Sequence, residues 1–488
     1  MHIVMVTPEC APVAKVGGLG DVVHGLSSEL QARGHLVEII LPKYDCMRYD
    51  HISELQKALS DLWVPFYDQH FHCDVFSGLV HGLKCFFIDP HSYKVFFNRG
   101  IFYGHQDDPE RFAFFSRAAL EFMLRSNRNP DIIHCHDWQT GLVPVLLFGI
   151  YEGLGMIHPR VCYTLHNVMH QCVTGDPVLR QVGLNPLDYR TPDRLQDNHN
   201  PEAVNLMKGG IVYSNFVTTV SPRYAEEIRY SALGCGLQQT LLAYSKKLGG
   251  VLNGIDYSIW NPEIDPLIAC RYRIDTIEDK YKNKEALRNR LWLRHEFKPL
   301  VAVVSRLDRQ KGVELMQHAV LYCLANGCQF ILLGSSPDPR INQEFLELKR
   351  RLDYSPDCHL ELSYNEELAH LIYAGADMIL IPSAFEPCGL TQMIAMKYGT
   401  VPVVRNTGGL ADTVFDADYA SKAHHERNGY VFNDLSPQDL ESALSRAIGL
   451  WNLYPRYFRE LMINGMRCDF SWRHAAEYYQ NIYDYIKE

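Results

Sequence analysis

The chain has 488 residues, long for one hydrophobic core, and two domains are its natural division. With 47% hydrophobic and 21% charged residues it has the composition of a folded globular protein, and a net charge of −10 argues against nucleic acid as a general partner. No apolar run reaches membrane-spanning length, so no membrane partner is expected, and residues 2–7 enter a strand at once, so no signal or transit segment is read. The 14 cysteines form no Cys-x-x-Cys pair, which predicts reduced thiols in a cytosol-like compartment.

The first element is the apolar run 2–7, of buried-strand length. Lys15-Val16-Gly17-Gly18-Leu19-Gly20-Asp21 follows, and then Val22, Val23, Leu26 and Leu30 at helical spacing. The glycines therefore sit where a strand hands over to a helix, the place where an α/β sheet puts ligands. Gly17, Gly18 and Gly20 allow close approach of backbone N–H groups, the helix start suits phosphate, and Lys15 adds a mobile charge. A tight turn alone explains the glycines equally well. The spacing matches neither Gly-x-Gly-x-x-Gly nor a P-loop, so neither dinucleotide nor P-loop ATP chemistry is implied.

Strands are expected over 37–41, 84–88, 131–135, 161–165 and 216–220, with helices over 109–125 and 203–213. This alternation predicts a mostly parallel sheet covered by helices on both faces. Two strands end in polar clusters, His134-Cys135-His136-Asp137-Trp138 and His166-Asn167. No carboxylate or Cys/His set completes a metal shell there, so the expectation is no metal; a histidine on a sugar hydroxyl, or one satisfied in the core, fits better.

Residues 245–250, polar and glycine-bearing, look like a hinge, and a second α/β series starts near residue 300. Its strands are expected over 301–304, 330–333, 378–381 and 401–404, and aromatic spacing predicts a last helix over 472–487. The first strand leads into Ser305-Arg306-Leu307-Asp308-Arg309-Gln310-Lys311-Gly312, and the third into Pro382-Ser383-Ala384-Phe385-Glu386-Pro387-Cys388-Gly389-Leu390-Thr391. Arg306 and Lys311 either reach one ligand face together or form a solvated surface pair. Glu386, between Phe385 and Pro387, needs a partner or a function if desolvated: a salt bridge, a helix cap, or a place beside a sugar that becomes cation-like. The amides of Gly389, Leu390 and Thr391 stand at a helix start, available to phosphate or sugar oxygens.

Assembled, these motifs resemble those of bacterial glycogen synthases and plant-type starch synthases, nearly from end to end. The carriers are residues 15–21, His136-Asp-Trp138, His166-Asn167, Val251-Leu-Asn-Gly-Ile-Asp256, Ser305-Arg-Leu307 with Lys311-Gly312, Phe385-Glu-Pro-Cys-Gly-Leu-Thr-Gln392, and Thr407-Gly-Gly-Leu-Ala-Asp412. Residues 41–47 look more like the soluble starch synthase classes linked to granule initiation than like granule-bound enzymes. The resemblance implies a GT-B fold, two doubly wound Rossmann-like α/β domains facing a central cleft. They would span 1–245 on the acceptor side and 246–465 on the donor side, with 466–488 crossing back as a helix.

It also implies a retaining glucosyltransferase that moves glucose from ADP-glucose to the 4-hydroxyl at the non-reducing end of an α-1,4-glucan: glycogen, starch or a maltooligosaccharide. Lys15, Arg306 and Lys311 would grip the ADP diphosphate. Gly18 and the amides of Gly389, Leu390 and Thr391 would complete the cradle, with Gly17, Asp21 and Cys388 in the same donor-binding set. His166 would face the donor glucose through its carbonyl or ring. Glu386 would bond the glucose hydroxyls, Asp137 and Asn253 would hold sugar or diphosphate, and Tyr364 would stack on adenine. Lys and Arg would neutralise charge, so no metal or other cofactor is expected. The setting would be the cytoplasm, or the plastid stroma for a processed plant form.

One departure stands out: Cys172 falls where the family usually has Gly. It puts acceptor preference in question, and with Cys10 and Cys388 it is a position to watch for oxidation. Rival readings are a GT-B transferase with another donor or acceptor (UDP-glucose, or a sucrose- or trehalose-type product) and a non-catalytic glucan-initiation scaffold.

Overall fold

The structure is a computed structural model that describes residues 1–91 and 94–488. The chain forms two compact units, Met1–Gly254 with Trp472–Glu488, and Ile255–Ser471.

The strands of the first unit are β1 (His2–Val6), β2 (Leu36–Pro42), β3 (Ile52–Phe66), β4 (Gln69–Val80), β5 (Leu83–Pro90), β6 (Ile132–His136), β7 (Arg160–Leu165), β8 (Val173–Gly175), β9 (Ala203–Asn205), β10 (Phe216–Thr219) and β11 (Leu248–Gly250). Nine of them make one sheet in the order β11-β10-β7-β6-β1-β2-β5-β4-β3, while β8 and β9 pair separately. β1 lies inside the sheet and its Ile3–Val6 run is fully buried, as a strand covered on both faces requires. It is parallel to β6 on one side and β2 on the other. The chain thus reverses its winding direction beside β1, and the crevice past the ends of β1 and β6 is where such a sheet receives ligands.

The sheet departs from a mostly parallel one at one edge, where β3 and β4 join β5 antiparallel. β3 is largely exposed, carries Glu54, Lys57 and Asp61, and has three register shifts against β4. Charge and bulges of this kind keep an open edge from pairing with another chain.

Two further expectations are corrected. The helix expected over 203–213 is the short strand β9 followed by the helix Leu206–Tyr213, because the Asn205 side chain accepts the Lys208 N–H and starts the helix there. The hinge expected at 245–250 contains β11, which pairs in parallel with β10. The first unit therefore runs to Gly254 rather than stopping at 245, and of residues 466–488 only 472–488 group with it. The helix Trp472–Lys487 lays Trp472 on Gly25 of the helix Gly18–Ala32, and a Cβ at Gly25 would stand 2.0 Å from the indole nitrogen. Tyr479 and Tyr483 from the same helix are fully buried.

The second unit has six strands, all parallel: β12 (Leu300–Val304), β13 (Gln329–Leu333), β14 (Cys358–Glu361), β15 (Met378–Ile381), β16 (Val401–Arg405) and β17 (Tyr430–Phe432), in the order β14-β13-β12-β15-β16-β17. The chain winds one way from β12 to β14 and the other way from β15 to β17. The reversal falls between β12 and β15, whose ends carry Arg306 to Lys311 and Ser383 to Glu386.

Candidate active site

In the first unit, the loop after β1 is tied to itself and to the helix behind it. Cys10 and Ala14 exchange backbone hydrogen bonds at 2.8 Å, and the Ala11 N–H donates to the Gly20 carbonyl at 3.0 Å. A Cβ on Gly20 would lie 3.2 Å from the Ala11 nitrogen, so this glycine is needed for close approach. Gly18 opens the helix. Gly17 is different: its φ is −145° and a Cβ there would meet no heavy atom within 4 Å, so neither backbone strain nor packing demands it.

Its N–H is not offered to a ligand either. The carboxylate of Glu9, 4% exposed, accepts the N–H groups of Val16 at 2.7 Å and Gly17 at 3.1 Å on one oxygen, and the Tyr103 hydroxyl at 2.8 Å on the other. Lys15 Nζ lies 2.8 Å from Asp21 Oδ1, with both side chains more than a third exposed.

At the ends of β6 and β7 the histidines form a file, His134 and His136 buried and His166 half-buried. His134 bonds the Tyr483 hydroxyl through Nδ1 and Thr164 Oγ1 through Nε2, each at 2.7 Å. His136 stacks on His134 with centroids 4.3 Å apart, and its Nδ1 lies 3.1 Å from His166 Nε2. Burial pushes His134 and His166 down to about 3, so both rings are neutral at ordinary pH. Asp137 takes a left-handed backbone (φ +55°), and its Oδ1 accepts the His166 N–H at 2.7 Å. Burial pushes its carboxyl up to about 7, against the pull of the His166 and Asn167 amides. Asn253, just past β11, is 5% exposed, and its side-chain oxygen has no hydrogen-bond partner among the described residues. Lys15, Asp137, His166 and Asn253 thus belong to one unit, each following a strand of its sheet.

In the second unit, Lys311 Nζ lies 2.5 Å from Glu386 Oε2, which also accepts the Ser383 hydroxyl at 2.9 Å. Glu386 is 6% exposed, so this buried carboxylate has a cation and a hydroxyl as partners. Its backbone is clamped as well. The Gly409 N–H donates to the Glu386 carbonyl at 3.0 Å, and a Cβ on Gly408 (φ +46°) would stand 1.9 Å from that oxygen. Gly312, at φ +77°, packs so tightly on Pro382 that a Cβ would lie 2.1 Å from its carbonyl. These contacts join the two strand ends.

Arg306 is exposed and 3.5 Å from Asp308, whose carboxylate also accepts the Lys311 N–H at 3.1 Å. Arg306 and Lys311 therefore stand apart here, one in solvent and one on Glu386. Among the described residues the amides of Gly389, Leu390 and Thr391, at the start of the helix Thr391–Lys397, meet no protein acceptor. Cys388 is buried beneath them, and its carbonyl accepts from the Gln392 side chain at 3.1 Å. Tyr364 is 77% exposed, with its hydroxyl 3.2 Å from Glu366.

Glu9, Tyr103, Ser383 and Gly408 complete this picture without having been assigned a role from the sequence, while His134, bonded on both ring nitrogens, is the histidine satisfied in the core that the sequence offered as one alternative. Ser383 and Gly408 sit in segments singled out there. Glu9 and Tyr103 carry no signal of spacing, because their connection exists only in three dimensions.

The chain matches the family model for the starch synthase catalytic domain over residues 2–243 and that for glycosyl transferases group 1 over residues 287–459. It is 67% identical to glycogen synthase 1 of Nitrosococcus oceani, across 100% of both chains. It is 58% identical to glycogen synthase 1 of Synechococcus sp. (strain JA-3-3Ab), again across 100% of each. Among solved structures, the catalytic domain of starch synthase IV from Arabidopsis thaliana, bound to ADP and acarbose, superposes with a TM-score of 0.96 at 45% identity, over 100% of this chain and 99% of that one. Sucrose-phosphate synthase from Thermosynechococcus elongatus has a TM-score of 0.62 at 19% identity over 100% and 99% of the two chains, a likeness of fold alone. With its two doubly wound units and end-to-end identity to these enzymes, the chain belongs to the glycogen and starch synthases, glucosyltransferases of the GT-B fold.

Proposed function

We propose that the protein lengthens an α-1,4-glucan by moving glucose from ADP-glucose to its non-reducing-end 4-hydroxyl, with retention at the anomeric carbon. The observation that carries this reading is the ion pair Lys311–Glu386 at the winding reversal of the second unit, beside the amides of residues 389–391. Family membership fixes the class of reaction, and the ADP and acarbose on the Arabidopsis relative support the donor and acceptor classes.

In this reading Lys15, Arg306 and Lys311 neutralise the diphosphate as it leaves, and the amides of Gly389, Leu390 and Thr391 bond phosphate or sugar oxygens. Glu386 bonds the glucose hydroxyls and favours the cation-like sugar. Retention through a covalent intermediate would use a second carboxylate about 5 Å from the first. No acidic partner is assigned to Glu386, so the acceptor is taken to attack from the face the diphosphate leaves. The bond from the anomeric carbon to phosphate oxygen breaks, the bond to the acceptor oxygen forms, and the acceptor's proton passes to the departing diphosphate. His166, neutral, bonds the glucose by ring or carbonyl, with Asp137 holding its backbone. Asn253 supplies an acceptor to sugar or diphosphate, and Tyr364 an aromatic face to adenine. The lysines and arginine carry the charge neutralisation, and no metal is required. The bacterial relatives support a cytoplasmic setting.

The test is release of ADP or UDP from the two nucleotide glucoses with a maltooligosaccharide primer. Glu386→Gln and Lys15→Ala are each expected to lose at least about two orders of magnitude in turnover, near 3 kcal/mol of stabilisation. A chelator should leave the wild-type rate unchanged. Near-normal rates in both variants reject the assigned roles, preference for UDP-glucose rejects the donor, and chelator-sensitive turnover rejects the metal-free reading.

A further inference from the structure

We infer that Glu9 is the positioning residue of the glycine loop: its buried carboxylate holds residues 15–17 in the shape that keeps the Lys15 side chain at the surface beside Asp21. The inference deepens the proposed donor site and rests on the role given there to Lys15.

A carboxylate buried in protein normally takes a cation as partner. Among the described residues Glu9 has none. Its partners are three neutral donors, the amides of Val16 and Gly17 and the hydroxyl of Tyr103, at 2.7, 3.1 and 2.8 Å. Burial pushes the Glu9 carboxyl up from its usual range while the two amides and the hydroxyl pull it back, and three hydrogen bonds converging on one covered side chain make a firm anchor. The segment it anchors is otherwise loose. Val16 is half exposed and Gly17 faces open space. Among the described residues the Val16 and Gly17 amides make no other hydrogen bond, whereas Cys10, Ala11, Ala14 and Gly20 around them are tied to one another. Glu9 is thus the link between the rigid base of the loop and its exposed tip.

The position of Glu9 also rules out direct contact with substrate as its main work. Both carboxylate oxygens are occupied from inside, and the side chain is almost wholly covered. It acts on Lys15 through the backbone of the next two residues. Misplacement of a binding group by about 1 Å lowers a rate on the order of 100-fold, so a loosened loop should be felt at the donor.

The experiment is steady-state kinetics of Glu9→Ala, Glu9→Gln, Lys15→Ala and the double variant Glu9→Ala/Lys15→Ala, with ADP-glucose and glucan varied separately. Glu9→Ala is expected to lower kcat/KM for ADP-glucose by about 30- to 100-fold while the KM for glucan moves less than about twofold. Glu9→Gln, whose carbonyl oxygen still accepts both amides, should lose less than about tenfold. The double variant should be no worse than Lys15→Ala, since the anchor and the anchored charge act as one unit.

Hydrogen exchange of the Val16 and Gly17 amides should be faster in Glu9→Ala, with the rest of the unit unchanged. If Glu9→Ala does not fold, Glu9→Asp, whose carboxylate falls one methylene short of the two amides, is measured in its place, with the same kinetic split and the same faster exchange expected and wild-type values overturning the inference. Wild-type donor kinetics for Glu9→Ala beside a crippled Lys15→Ala overturn the inference and leave the donor reading standing. Equal losses for donor and glucan, or a double variant whose losses multiply, also overturn it. A fully active Lys15→Ala overturns the donor reading itself, and the coupling with it.

Discussion

Asp137 joins two unfavourable features that share one cause. Its backbone (φ +55°, ψ −175°) lies in a region that costs a residue with a side chain on the order of 1–3 kcal/mol, and its half-buried carboxyl is partly desolvated. Both follow from aiming Oδ1 at the His166 N–H. Burial raises the carboxyl from 3.8 to about 7. The native state therefore holds a proton that the unfolded chain releases, so between about pH 4 and 7 this group's contribution to stability falls as pH rises. Activity should run the other way, because the ionised carboxylate is the stronger acceptor for the loop carrying His166. The expected pH profile of kcat/KM has an acid limb near 7 that Asp137→Asn abolishes. His166, held near 3, contributes no limb in that range. A limb that persists unchanged in Asp137→Asn assigns it elsewhere. Cys172 shows another local strain, with φ +57°, a left-handed backbone that favours glycine. Cys172→Gly should stabilise the fold by about 1 kcal/mol in thermal or urea unfolding. The charged candidates could be singled out in sequence because a Lys beside three glycines, or a Glu inside an apolar turn, is chemically conspicuous. Glu9 was not, since an isolated carboxylate in a loop looks like any surface acid until its partners are known.

At the scale of elements, close approach of backbones decides what could be read. Buried runs such as those of β1, β12 and β15 announce themselves by continuous apolar residues. β11 hides behind its glycines: a Cβ at Gly250 would lie 2.3 Å from the Ser221 carbonyl, so the residues that suggest a hinge are there because a neighbouring segment passes too near for a side chain. β3 hides for the opposite reason, since an exposed and bulged edge strand has no apolar face to show. Gly25 tests the same idea in the helices. It admits the Trp472 ring, 7% exposed, against the helix Gly18–Ala32 that starts at the glycine loop. Gly25→Ala should destabilise the first unit by about 2 kcal/mol and expose the C-terminal helix to protease. Trp472→Ala destabilises by opening a cavity, and the double variant should lose clearly less than the sum of the two. Additive losses would mean that the ring does not depend on the missing Cβ.

Across the whole molecule the three cations assigned to the diphosphate share a pattern: each has its own carboxylate. Lys15 lies 2.8 Å from Asp21, Arg306 3.5 Å from Asp308, and Lys311 2.5 Å from Glu386. A chain of net charge −10 thus keeps each of the three cations proposed for the donor locally neutralised. On the proposed reading the diphosphate competes with these carboxylates for the same ammonium and guanidinium groups, so its affinity should rest on several modest exchanges. Pairs as exposed as those of Lys15 and Arg306 contribute roughly 0–1 kcal/mol and are screened by salt, the Lys311–Glu386 pair is largely covered, and a charged hydrogen bond to ligand contributes about 1.5–3 kcal/mol. Lys15 is in the first unit and Lys311 in the second, yet Lys15→Ala and Lys311→Ala should each weaken ADP binding by about tenfold to a hundredfold. Titration calorimetry at two ionic strengths measures this directly, and the wild-type affinity should fall as salt rises. If ADP binds Lys15→Ala as tightly as wild type while Lys311→Ala fails, the nucleotide is the business of the second unit alone and Lys15 must act on another part of the reaction.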